Sequence, residues 1–89
     1  MSAVAQFDAA IQKVTQERGA VYGHPADDFA KVALMAEGIK DCPDPRVKHA
    51  LYMILVKVAR LVQTPTHVDS MIDIAGYARM IAMIANRKP

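Results

Sequence analysis

Eighty-nine residues carrying 53% apolar side chains and a net charge of +2 set the scale of one domain. That small basic excess, without a dense Lys/Arg stripe, argues against a duplex nucleic-acid partner, and the single Cys42 rules out an internal disulfide and fits a reducing compartment. No run of about 18 apolar residues escapes a charge, and Gln6 and Asp8 fall where a signal peptide needs an apolar core, so the sequence predicts a soluble, cytoplasmic protein off the membrane.

The charge is unevenly placed. Residues 1–44 hold seven acids and four bases, for −3, while residues 45–89 hold two acids and seven bases, for +5. The second half is therefore the one that favours a small anionic ligand or a subunit contact.

The first predicted helix runs from Ser2, a good N-cap, to about Glu17, with Val4, Phe7, Ile11 and Val14 on one face that is expected to cover the rest of the chain. Gly19 ends it. Two glycines, an aromatic, a histidine and a proline then crowd into Arg18-Gly19-Ala20-Val21-Tyr22-Gly23-His24-Pro25, a composition that marks a shaped loop. Pro25 or Ala26 opens the second helix, Asp27 and Asp28 complement its dipole as capping residues, and Phe29, Val32, Ala33, Ala36 and Ile39 give its apolar face. Glu37 belongs to the same helix.

Asp44 and Pro45 read as N-cap and first residue of a third helix that ends near Gln63. After Thr64-Pro65-Thr66, with Thr66 as the expected cap, a fourth helix runs from His67 or Val68 to Ala85, and residues 86–89 form a frayed tail. Gly76 costs this helix about 1 kcal/mol relative to Ala, which implies close approach of a neighbouring helix or space left for a ligand. Met35, Met53, Met71, Met80 and Met83 read as flexible core filling. His24, His49 and His67 lack zinc-site spacing.

The third and fourth helices are apolar nearly all round, and only the centre of a larger assembly covers every face of such helices. The expected architecture is all-α: a four-helix bundle-like domain over residues 1–89, built on a central antiparallel hairpin of two strongly apolar helices, in a homo-oligomer, most simply a two-fold dimer. Within that hairpin the charges sit at helical spacing. Lys57 and Arg60 share a face of one helix, Asp69 and Asp73 share a face of the other, and Tyr77 continues the second stripe. Reflection about Pro65 sets Lys57 level with Asp73 and Arg60 level with Ser70, a turn from Asp69. Two cations are thus expected to face two anions, since a lone charge inside an apolar helix is very costly. The cluster reads in two compatible ways. It is an ion-pair network that fixes the hairpin's register, or a polar site in which Lys57 and Arg60 hold phosphate while Asp69 and Asp73 serve as metal ligands or base.

Three blocks, Arg18-Gly19-Ala20-Val21-Tyr22-Gly23-His24-Pro25 with Asp28-Phe29, Leu55-Val56-Lys57-Val58-Ala59-Arg60, and His67-Val68-Asp69-Ser70-Met71-Ile72-Asp73-Ile74-Ala75-Gly76-Tyr77-Ala78, resemble in order and spacing an uncharacterised family of small helical proteins encoded by phages and prophages. That resemblance covers roughly residues 7–85 and implies a phage protein acting in the bacterial cytoplasm. More distantly, the last helix is similar to that of the MazG-like all-α nucleoside triphosphate pyrophosphohydrolases, which are oligomeric helical bundles holding Mg²⁺ with an E-E-x-x-E block and an E-x-x-D block. This chain departs from their pattern. No acid lies between Asp44 and Asp69, and Asp27, Asp28 or Glu37 would have to complete a cage begun by Asp69 and Asp73.

That departure orders the functional readings. The first is a phage protein that binds a nucleotide-type phosphate ligand, sequestering a host immune-signalling nucleotide as counter-defence, without chemistry following. Its expected ligand contacts are Arg18, Tyr22, His24, Lys57, Arg60, His67 and Tyr77. The second is a Mg²⁺-dependent nucleotide pyrophosphohydrolase, with Mg²⁺ at Asp69 and Asp73. In the third, the protein docks on a host bacterial protein as an inhibitor and the polar cluster is structural. Partners under these readings are a second copy of the chain, a nucleotide-type small molecule, or a host protein.

Overall fold

The computed structural model describes residues 2–6, 8–11 and 22–87, and these are helices joined by short turns. The all-helical class is as expected. Helix α1 spans Pro25–Ala36 and runs on into one 3-10 turn, Glu37–Ile39; helix α2 spans Pro45–Gln63; helix α3 spans Val68–Asn86. Helix α1 packs on α2, and α2 packs along α3 as an antiparallel hairpin.

Local chemistry explains each start. Asp44 caps α2 with Oδ1 accepting from the Arg46 backbone N–H at 2.9 Å, and Pro45 takes the first helical position, where a missing N–H costs nothing. The Arg46 guanidinium donates to the same carboxylate, 3.2 Å from Nε to Oδ1 and 2.9 Å from Nη2 to Oδ2. These bonds hold the Asp44 carboxyl down at about 2. Helix α1 opens at Pro25 behind His24, whose Nδ1 accepts from the Ala26 N–H at 3.0 Å.

At α3 the cap position falls to His67 rather than Thr66, and no side chain caps it. The reason lies in the turn. The Thr64 N–H closes on the Arg60 carbonyl at 2.8 Å and the His67 N–H on the Thr64 carbonyl at 3.0 Å, so the chain re-enters helix one residue later than a Thr66 cap requires.

The hairpin has the register that pairing charges across Pro65 predicts, with Lys57 Nζ 2.9 Å from Asp73 Oδ2. Its most buried positions, Ala59 and Ser70, are both small and both fully covered, and in this register they lie within about one residue of the same level, which lets the helices approach closely. Asp28 and Val32 of α1 and Ala50 of α2 complete the buried set among the described residues.

Two expectations about the outer helices are corrected. The inward stripe of α1 is Asp28, Val32, Met35, Ala36 and Ile39, not the stripe through Phe29 and Ala33: Phe29 is 68% exposed and Ala33 is exposed, while Asp28 is buried. The helix is rotated by about one residue from the apolar count, a setting decided by its packing on α2, since the first-turn bond from the Asp28 N–H to the His24 carbonyl at 3.1 Å forms whichever face points inward. In the N-terminal segment, Ser2 Oγ accepts from the Ala5 N–H at 3.1 Å as an N-cap should, but Val4 and Ile11 are exposed, so these residues do not form the expected cover over the hairpin. Phe7, Val14 and Glu17 lie outside the described residues.

Much apolar surface remains open. Val62, Val68, Met71, Ile72, Met80 and Met83 of the hairpin are all exposed. Gly76 meets no neighbour, since a Cβ built there has nothing within 4 Å. Among the described residues no helix is long and apolar enough to cross a membrane.

Candidate functional site at the hairpin mouth

The site forms where the loop before α1 folds against the turn between α2 and α3. Gly23 steers it. Its φ of +74° is left-handed backbone, and a Cβ there would lie 3.2 Å from the Gln63 side chain at the end of α2. Only glycine turns the chain here without strain or contact, and the turn separates its two neighbours. Tyr22 goes to the mouth of the hairpin, whereas His24 goes outward as the exposed cap of α1.

Tyr22 lies beneath Arg60. The guanidinium carbon is 4.0 Å from the centre of the phenol ring, a cation–π stack, and the His67 ring meets Tyr22 edge-on at 6.2 Å and 85°. His67 is fixed in turn by the fully buried Ser70, with 2.6 Å between Nδ1 and Oγ. One helix therefore contributes Arg60, the cap and first turn of the next His67 and Ser70, and Tyr22, which is helical rather than part of the expected loop and stands just ahead of the Gly23 turn, the aromatic plate between them.

The electrostatics differ from the expected two cations facing two anions. Lys57, with only 12% of its side chain exposed, is neutralised by Asp73. Arg60 has no ion-pair partner among the described residues, and its Nε is buried without a hydrogen bond. Asp69, which the register placed within a turn of it, is exposed. An aromatic face thus occupies the place expected for a carboxylate. A guanidinium seated over an aromatic face, partly desolvated and not neutralised, can donate to an oxyanion in fork geometry.

A second buried polar atom lacks a partner, Asp28 Oδ1 on α1. Its spacing of four before the buried Val32 placed it on the covered stripe, and its place in the first turn disguised it as a capping residue.

The remaining expected contacts stand apart. Tyr77 is half-buried one turn beyond Asp73, and Arg18 lies outside the described residues. For Mg²⁺, Asp69 and Asp73 make a poor donor set: one is tied to an ammonium, Asp27 is exposed, Glu37 pairs with Lys40 at 3.5 Å, and among the described residues no three His, Cys, Asp or Glu side chains group as metal ligands.

Comparison with known proteins gives relatives but no activity. Over 68 residues the chain is 40% identical to the Gene 55 protein of Mycobacterium phage D29, a match covering 76% of this chain and 45% of that protein. The chain thus spans less than half the length of this relative. No solved structure matches. Residues 6–85, which include the loop and both helices of the hairpin mouth, match the model of one family, and the chain belongs to that family, described as Domain of unknown function (DUF6378).

Proposed function

We propose that the hairpin mouth binds a phosphate-bearing, nucleotide-type ligand without metal, and that the protein acts by holding this ligand rather than by converting it. The observation that carries the reading is the Arg60 guanidinium, stacked on Tyr22 with a buried Nε that has no partner. Solvent does not reach Nε itself, so an incoming phosphate accepts from the terminal Nη groups and gains Nε only when the guanidinium shifts on the Tyr22 ring. Tyr22 and His67 offer aromatic surface at the same corner for a base, and Lys57, one turn away, stays paired with Asp73 and leaves the charge of the site to Arg60. A phage gene product among the relatives favours a role during infection, and sequestration of a host signalling nucleotide as counter-defence fits a site that binds without a catalytic metal.

A thermal-shift panel of linear and cyclic nucleotides in EDTA tests the reading. Binding stabilises by RT ln(1 + [L]/Kd), about 2.7 kcal/mol at a hundredfold excess over Kd, so an authentic ligand gives a clear rise in melting temperature. The ligand should be recovered intact, and Arg60→Met should abolish the shift while the variant stays helical. Pyrophosphate release on adding Mg²⁺ or Mn²⁺ would instead establish the MazG-like pyrophosphohydrolase. If no nucleotide shifts the melt, the proposal fails.

A further inference from the structure

We propose that the outward face of α3 is a two-fold interface on which a second copy of this chain packs antiparallel, an assignment independent of the ligand at the hairpin mouth. The inward face of the helix is Ser70, Asp73, Ile74, Tyr77, Ile81 and Ile84, and it is satisfied by α2. On the opposite side Val68, Ile72, Gly76 and Met83 line an exposed apolar strip, with Ile72 61% open to solvent.

Two observations name the occupant. The first is Gly76, an interior helix residue that weakens the helix and meets no atom of its own chain. Such a position is explained by another backbone passing close above it. The second is charge. Set two α3 helices antiparallel about the level of Ile74, and Ile72 of each enters the notch over the partner's Gly76, while Asp69 of each comes level with the partner's Arg79. Neither Asp69 nor Arg79 has an ion pair among the described residues, and Arg79 Nη1 has only the Met83 sulphur at 3.0 Å. One symmetry operation thus fills the notch twice and pairs both charges twice, as a self-complementary interface requires.

Sedimentation equilibrium at micromolar concentration should give twice the 9.7 kDa of one chain. Asp69→Arg alone and Arg79→Asp alone should each shift the protein to monomer with unchanged far-UV circular dichroism, and the double exchange Asp69→Arg/Arg79→Asp should restore the dimer. Gly76→Leu should also give a monomer. Gly76→Ala separates the two explanations of the glycine, because in a free monomer alanine only improves the helix and raises the melting temperature, whereas in the dimer it weakens association. A monomeric parent overturns the proposal. So does a dimer that survives both single charge changes, or a folded double exchange that stays monomeric.

Discussion

Replacing Asp73 with Ala removes the carboxylate 2.9 Å from Lys57 and leaves an ammonium whose side chain is only 12% exposed. The two partners are unequally buried, since Asp73 is 45% exposed, and this sets the size of the effect. Breaking a fully buried pair costs about 3–5 kcal/mol, and an exposed pair contributes only about 0.2–1 kcal/mol. Water already reaches the carboxylate, so part of the attraction is screened, yet the stranded cation remains among apolar helix surfaces. An intermediate loss of about 1–2 kcal/mol follows, which in a domain of this size lowers the melting temperature by roughly 5–12 °C. Thermal unfolding followed by circular dichroism measures it. Lys57→Met in the Asp73→Ala background should recover most of the loss, because methionine fills the stem's volume without a charge to solvate. If Asp73→Ala melts with the parent, or if the double variant is no better than the single, the pair does not hold the hairpin's register.

Gly23→Ala forces a Cβ into left-handed backbone, at about 1–2 kcal/mol, and presses on Gln63; the variant should melt earlier, and it should also lose any nucleotide-induced shift because Tyr22 leaves Arg60. Acid titration should expose the α2 cap. The Asp44 carboxyl is held below its ordinary 3.8, at about 2, chiefly by the Arg46 side chain, so its stabilisation is fully present above 3.8 and is lost as pH falls through about 2. Over that range Asp44→Ala should show a shallower fall in melting temperature than the parent.

The legible parts of this fold are those where one physical requirement left few solutions. Asp44-Pro45 could start a helix but not continue one, so the start of α2 was fixed by its cap. The hairpin's register followed from Lys57 and Asp73, because a charge in an apolar helix needs a partner and Pro65 leaves room for only a short turn. Arg60 obeyed the same requirement differently. Its partner is the face of Tyr22, brought over the helix end by the turn that the positive φ of Gly23 makes, and helical spacing within α2 and α3 carries no information about such a contact. Asp28 was misplaced for a related reason: a carboxylate in a first turn satisfies the helix dipole whether it points outward or inward, and only packing of α1 on α2 decides between them. His67 took the position expected of Thr66 because the turn's backbone bonds, rather than side-chain capping, set where α3 begins.

The central claim is that Arg60, stacked and without an anionic partner, is the phosphate-binding group, and Arg60→Lys tests it most directly. Lysine keeps the positive charge but lacks the planar fork and the stack on Tyr22. Isothermal titration in EDTA, using the nucleotide that most stabilises the parent, should show at least a tenfold weaker Kd for Arg60→Lys, while the melting temperature of the unliganded variant stays within a few degrees of the parent. Equal affinity in the two proteins would contradict the account, since the hairpin mouth would then contribute charge alone and the Arg60–Tyr22 geometry would have no part in binding.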